Sequence, residues 1–320
     1  LRYIAANTKK KHIVLAPTGI AAINAGGSTL HSFFKLPFHP LLPNDSMYSV
    51  RNIRNTLKYN SEKIKIIREV ELIIIDEISM VRADIIDFID KVLRVYCRNR
   101  REPFGGKQLL LVGDIYQLEP VVKEDDRRLL SPFYRSSFFF DAKIFQQFQL
   151  VSIELRKVYR QSDPVFIGIL DHIRTSQVQM QDLQRLNQRV GARLDESDSK
   201  LAITLSTRRD TVDHINSTQL GQLPGEPVLF RGNIQGEFPE SSLPTPIELY
   251  LKTGAQIIFI KNDIEHQWVN GTLGTIIGFD EDDDAKIYVR TETGLDVMVE
   301  PAAWSNMRYH FNEVEKKIEE

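Results

Sequence analysis

The chain has 320 residues, with 41 Lys+Arg against 43 Asp+Glu for a formal net charge of −2, and is 42% apolar and 26% charged. At roughly 100–200 residues per domain this length allows about two domains. The apolar share supports a sizeable core and excludes a largely disordered chain, while the near-balanced charge gives no global sign of nucleic-acid binding, so any such site must be local. The single cysteine, Cys97, excludes an intrachain disulfide framework and a cysteine-based metal cluster. It suits a reducing compartment and, on a helix-like pattern, reads as an inert thiol, buried or half-buried. Apolar runs such as Leu72–Ile75 and Leu109–Val112 fall far short of the ~20 residues a membrane helix needs.

Leu1–Lys10 has no long apolar core and no small-residue cleavage site, so a signal peptide is not expected. With Leu1, Ile4 and Ala5 on one face and no N-cap, it reads as the tail of a helix already under way. Three continuous apolar runs come next, Ile13–Ala16, Leu72–Ile75 and Leu109–Val112. Runs without alternation predict strands covered on both faces, as in a parallel α/β sheet. Between the last two, Val81, Ile85, Ile89, Val92 and Tyr96 recur at helical spacing. Pro37, Pro40 and Pro43 exclude regular helix from Leu36–Asn44. After this stretch a helix is expected through Ile53, Leu57, Ile64 and Ile67, with a break at Asn60-Ser61.

A second α/β unit is expected from Val151, with strands at Ser152–Leu155 and Leu201–Leu205. One helix should open at Pro164 behind a Ser162 or Asp163 cap, and another should pass through Val212 and Ile215. From about Leu223 short β-like runs take over: Val228–Phe230, Ile247–Leu251, Gln256–Ile260, Gly274–Ile277, Lys286–Arg290 and Asp296–Val299. Turn signals at Lys252-Thr253-Gly254, Asn270-Gly271 and Thr293-Gly294 separate some of them, and Asn-Gly predicts a hairpin with both turn residues at positive φ. This reads as a small β-barrel. The acidic Asp280–Asp284 lacks calcium-loop spacing and reads as a solvated tip.

The chemistry concentrates at strand ends. Asp76-Glu77 closes Leu72–Ile75 where open parallel sheets bind ligands. Neighbouring side chains on a strand point to opposite faces, so one acid could hold hydrated Mg²⁺ on a triphosphate and the other take a proton from an attacking water. Two acids that merely mark a strand's end are the alternative. Leu111-Val112-Gly113-Asp114-Ile115-Tyr116-Gln117 ends a second strand in polar groups, with an amide placed to reach a phosphate oxygen or position a water. An arginine within Leu155–Gln161 could reach across a cleft to a phosphate, against a surface ion pair as the alternative. In Ala16-Pro17-Thr18-Gly19 and Gly26–Phe34, small residues, hydroxyls and His31 suit a sugar–phosphate chain. Phe33 could stack on a base, although such a Phe-Phe pair also suits a core.

The ordered series APTGIAAINAGGSTLHSFF, IIIDEISM, FGGKQLLLVGDIYQLEPV and LRKVYRQ resembles the motifs of the Pif (petite integration frequency) family. These are superfamily-one, RecD-related 5′→3′ DNA helicases. The later LSTRRDTVDHIN and LKTGAQIIFIKND…WVNGTLGTIIGF resemble the family's second motor domain and its inserted barrel. The resemblance implies an α/β fold of two RecA-like, P-loop-NTPase-type domains, the first lacking its phosphate loop and the second incomplete, with an inserted small Src-homology-like β-barrel. The expected parts are 1–150 (first motor domain, with a wedge-like Pro-rich insertion near 36–60), 151–222 (part of the second), 223–305 (barrel) and 306–320 (return toward the second).

It also implies ATP and Mg²⁺ as cofactors, with Asp76 on the metal, Glu77 as catalytic acid, Gln117 as γ-phosphate sensor and Arg160 as arginine finger. Pro17, Thr18, Gly19, His31 and Ser32 fall in single-strand-contacting motifs, with Thr207 and Asn216 as second-domain counterparts. The implied partners are single-stranded and forked or partial-duplex DNA, contacted by a monomer without membrane attachment, in DNA repair, recombination or telomere maintenance. The implied location is cytoplasmic in a bacterium and nuclear or mitochondrial in a eukaryote.

The departures are specific. No G-x-x-x-x-G-K-[ST] occurs; Gly105-Gly106-Lys107-Gln108 comes nearest, with Arg101 for the first glycine, Gln108 for Ser/Thr, and a strand after it instead of before. Glu119 stands where the family usually has proline, and Arg208 where asparagine is common. The missing loop implies weak ATP turnover by this chain. A RecD-like nuclease subunit, a relaxase-linked helicase, or a non-hydrolysing single-strand-binding module are the rival readings.

Overall fold

Strands appear where β-branched residues can be covered on both sides. The computed structural model describes residues 2–159, 161–192, 201–236, 238, 243–263, 265–280, 286–305, 310–312 and 317–319. It divides into two compact units, 1–183 with 305–320, and 184–304.

In the first unit β1 (His12–Ala16), β2 (Ser28–Thr29), β3 (Leu72–Ile75) and β4 (Gln108–Leu111) form a parallel sheet in the order β2-β1-β3-β4. Its register aligns Leu15 with Ile75 and Ile75 with Leu111, so these three strands end together at one edge. Ile13, Leu15, Ile73 and Ile75 enter the large core with Phe34, Ile66, Ile67, Ile86 and Ile89. Val14, Leu72 and Ile74 face the other way into a smaller cluster with Ala25 and Leu110. Two covered faces explain why the runs do not alternate.

The helices match their sequence signals closely. After α1 (Arg2–Asn7) and α2 (Gly19–Ala25) come α3 (Leu30–Phe34), α4 (Ile53–Leu57) and α5 (Ser61–Glu69). The expected break between the last two falls at Lys58, whose φ is 45°, and Asn60 then caps α5 by accepting from Lys63 N at 2.8 Å. In α6 (Ala83–Tyr96), Ile85, Ile89, Val92 and Tyr96 are buried as spaced, while Val81 lies in the turn ahead of the helix. Leu36–Asn44 has no helix or strand. Half-buried Cys97 donates to Ile67 O at 3.5 Å, and burial pushes its thiol pKa up. Later in this unit lie α7 (Glu124–Leu130) and α8 (Pro164–Arg174). Asp163 caps α8 with two accepted backbone bonds. Next comes α9 (Met180–Asn187).

The second unit contains α10 (Arg209–Gln222), a two-stranded pair β5 (Val228–Arg231) and β6 (Glu248–Leu251), and an antiparallel sheet in the order β10-β9-β8-β7. The latter uses β7 (Gln256–Ile258), β8 (Leu273–Phe279), β9 (Ile287–Thr291) and β10 (Asp296–Val299). Ala255, Phe259, Ile276, Val289 and Val297 make its small core, with Trp268 stacked on Phe259. The chain ends in an antiparallel pair, β11 (His310–Asn312) and β12 (Lys317–Glu319), grouped with the first unit. Among the described residues no helix is long and apolar enough to cross a membrane.

Several expectations need correction. Ser152–Leu155 and Leu201–Leu205 are not strands: both are without regular structure, and Val151, Ile153, Leu155, Ile203 and Leu205 are exposed. β-propensity needs a neighbouring ladder to become a strand, and none of the described strands pairs with either segment. Asn270-Gly271 does not make a two-residue hairpin. Only Gly271 has positive φ (98°), and Thr272 N donates to Val269 O at 3.1 Å, closing a turn inside the loop between β7 and β8. β4 begins and ends one residue earlier than its apolar run. Of the acidic tip, 281–284 lie outside the described residues, and Asp280 accepts from the Tyr288 hydroxyl at 2.7 Å. The short β2, α7, α9 and the terminal β-pair carried no periodic signal.

Candidate functional site

Four chain turns build the site: three follow β1, β3 and β4 at the C-terminal edge of the parallel sheet, and one precedes β2 and leads through it to that edge. The first is Pro17-Thr18-Gly19, half-buried between β1 and α2, where the Thr18 hydroxyl accepts from Ala21 N at 3.2 Å. The second brings the chain back through Gly26, at φ 67°, and Gly27. A Cβ on Gly27 would lie 2.2 Å from the Val14 carbonyl oxygen, so only glycine lets this segment run against β1. Thr29 then caps α3 by accepting from Ser32 N at 3.1 Å, which sets His31 and Ser32 on the first turn of that helix.

The third turn is Asp76-Glu77. Asp76 N donates to Leu15 O at 2.8 Å and Ile78 N to Val112 O at 3.0 Å, pinning the pair between β1 and β4. Glu77 lies in the left-handed region (φ 50°, ψ 44°), a conformation that costs a non-glycine residue of order 1–3 kcal/mol and gathers at functional sites. Because β3 stops at Ile75 and Glu77 is left-handed, the opposite-face alternation expected for the two acids does not extend to them. Both are half-buried, and neither carboxylate has an ion-pair or hydrogen-bond partner among the described residues.

The fourth turn comes directly after β4. A Cβ on Gly113 would come within 2.9 Å of Ile78 N, so this glycine lets the turn press against the one carrying Glu77. Asp114 organises the next three residues, accepting from Tyr116 N at 3.1 Å and from the Gln117 side-chain amide at 3.4 Å. Gln117 N closes the turn on Asp114 O at 3.0 Å. Sequence reasoning missed one participant: Arg174, at the end of α8, pairs with Asp114 at 3.3 Å and lies 5.1 Å over the Tyr116 ring. Nothing in local spacing links two residues so far apart in the chain.

The sheet edge therefore collects Pro17, Thr18, Gly19, Asp76, Glu77 and Gln117. Arg160 lies outside the described residues. Thr207, just before α10, and Asn216, within it, are exposed in the second unit. Phe33 is a correction. It is 2% exposed, edge-on to Phe34, with the Lys63 ammonium 3.2 Å over its face. A ring so covered is core and offers no face to a base. His31 is partly exposed, and burial, aided by the Arg82 charge, holds its imidazole below the usual histidine pKa.

The donor set suits a hydrated Mg²⁺, which uses one or two carboxylates and takes its other ligands from phosphate and water. Two neighbouring carboxylates with no protein cation against them fit that demand, and no group of three or more His, Cys, Asp or Glu forms a cage among the described residues. A parallel sheet with acids and an amide on adjacent strand ends has the α/β architecture expected of a RecA-like domain. The family model described as PIF1-like helicase matches residues 1–183. The chain is 32% identical over 317 residues to the ATP-dependent DNA helicase PIF1 of Xenopus laevis, covering 95% of this chain and 46% of that protein. It is 30% identical to the human protein of the same name, covering 92% and 44%. It also resembles the crystal structure of Bacteroides sp Pif1 in complex with ADP-AlF4, with a TM-score of 0.87, 38% identity and coverage of 99% and 70%. The Bacteroides Pif1 structure bound to ssDNA matches at a TM-score of 0.62, 38% identity and coverage of 100% and 71%. The chain belongs to the PIF1-like helicase family, and it spans less than half the length of the curated relatives named here.

Proposed function

We propose that this chain is part of an ATP-dependent DNA helicase that moves 5′→3′ along single-stranded DNA and opens forked or partial duplexes. The observation that carries the reading is the junction of two turns, Asp76-Glu77 and Gly113–Gln117, held against each other by the Ile78–Val112 hydrogen bond and the close approach at Gly113. Asp76 is the residue to hold Mg²⁺, which when bound neutralises charge on the phosphates. Glu77, strained and without a cation partner among the described residues, is the base that takes a proton from the attacking water. Gln117 can leave Asp114, since its 3.4 Å side-chain bond is long, and turn its amide to the terminal phosphate. Arg160 is assigned the charge-stabilising finger.

Pro17, Thr18, Gly19, His31 and Ser32 are read as strand contacts from the first unit, Thr207 and Asn216 as contacts from the second. Within the same reading, 1–150 is the first motor domain, 151–222 part of the second, 223–305 the small Src-homology-like barrel and 306–320 the return toward the second.

The 320 residues contain no phosphate-loop motif, so the triphosphate lacks its main backbone anchor. ATP hydrolysis by this chain with saturating single-stranded DNA should stay near background while DNA binding is retained. Flanking segments grafted from the Bacteroides relative should confer DNA-stimulated hydrolysis. Glu77→Gln should then abolish turnover with nucleotide binding largely kept. Robust turnover by the chain alone would overturn the dependence on a phosphate loop, and full activity of the grafted Glu77→Gln protein would overturn the assignment of Glu77 as base.

A further inference from the structure

Among the rings that the fold leaves open is Phe38, five residues beyond the buried Phe33. It is 89% exposed, at the tip of the proline-rich Leu36–Asn44 loop. One face lies parallel to the His31 imidazole, with ring centroids 5.1 Å apart and planes 9° apart. An exposed phenylalanine alone is ordinary. Three further observations set this one apart.

The loop is fastened at both ends. Leu36 and Leu41 are buried, Leu36 N donates to His31 O at 3.0 Å, and Leu41 N donates to the Asp84 carboxylate at 2.9 Å. Asp84 is itself buried and held by two Arg82 hydrogen bonds at 2.9 and 2.7 Å. Pro37 and Pro40 flank the tip and fix φ there, so little conformational freedom remains to be lost when a ligand docks. Burial, with the Arg82 charge, holds the imidazole beneath below the usual histidine pKa. Finally, the surroundings are polar. Ser32 and Lys35, both exposed, lie on and just beyond the short helix that carries His31. A single ring on a restrained loop, close in the chain to an exposed hydroxyl and ammonium, suits a flat heterocycle joined to a phosphate better than an apolar protein surface.

We propose that Phe38, seated on His31, stacks on one unpaired nucleobase of bound single-stranded DNA. This rests on the DNA-binding reading and deepens it, because stacking is tolerant of sequence while fixing where one base sits.

The test uses the full chain and oligothymidylates carrying one 2-aminopurine moved position by position. With the wild-type protein, emission should change sharply at one position. Phe38→Ala should remove that change and weaken binding roughly five- to a hundred-fold. Phe38→Trp should retain both, and Phe38→Leu, apolar without a ring, should behave like alanine. An abasic residue at the responding position should weaken wild-type binding to the Phe38→Ala level and leave that variant's binding unchanged. Wild-type binding with no responding position, or a Phe38→Ala loss not matched by the abasic residue, would overturn the stacking role alone. Failure of the wild-type chain to bind any single-stranded DNA would overturn the DNA-binding reading with it.

Discussion

The two units hold their candidate residues by different means. In the first, the turns grow from β1 and β3, whose side chains are almost wholly buried, and from the half-buried β4, and backbone bonds tie neighbouring turns together. In the second, Thr207 and Asn216 lie on an exposed turn and on a helix with no buried side chain, and the core comprises a handful of residues around Phe259 and Ile276. A site that must place two carboxylates and an amide within an ångström needs the first arrangement; contacts to a flexible polymer backbone tolerate the second.

Substitutions should separate the two regions by size of effect. The largest is expected at Asp84, 2% exposed and locked to Arg82. Asp84→Ala leaves a mostly buried guanidinium without its partner and should cost about 3–5 kcal/mol in urea unfolding. A loss under about 1 kcal/mol would show that the first unit does not depend on this pair. Ile73→Ala, in the centre of the parallel sheet, should cost about 2–5 kcal/mol through lost burial and a cavity.

Lys63 gives a smaller effect with a definite pH signature. Burial pulls its ammonium down to about 7, Lys35 adds repulsion, and the contact with the Phe33 face works in the opposite direction. The unfolded chain holds this proton up to about pH 10.4. Between pH 7 and that value the unfolded state binds more protons, so stability rises with pH. Lys63→Met should therefore raise stability at pH 7 by about 1–3 kcal/mol and flatten the rise between pH 7 and 9. An unchanged slope would show that Lys63 is solvated in the folded protein. The smallest effect belongs to the exposed segments: Ile203→Ala should change unfolding by less than about 0.5 kcal/mol. A loss near that of Ile73→Ala would mean that this segment is covered in solution.

Much of the first unit was legible in the residues. Unbroken apolar runs marked β1, β3 and β4, the spacing from Ile85 to Tyr96 marked α6, and the break before α5 showed at Asn60-Ser61. The acids at 76–77 and the turn at 113–117 were readable for the same reason: polar residues directly after a buried run lie at a sheet edge. Arg174 was not readable, because its meeting with Asp114 depends on where α8 packs. The strands expected at 152–155 and 201–205 failed because β-propensity records a preference for pairing without supplying a partner.

By itself, then, the sequence determined β1, β3, β4 and the helices α4 to α6 and α8 of the first unit, where the carboxylates fall, and that these 320 residues contain no phosphate-loop motif. Tertiary structure alone decided that Phe33 is covered and Phe38 open. Both are phenylalanines in one short stretch, and local pattern treats them alike. Lys63 of α5 and the edge of Phe34 close over one ring, while fastened leucines and prolines hold the other in solvent. Burial depends on what distant segments bring, and an isolated stretch of chain does not contain that information.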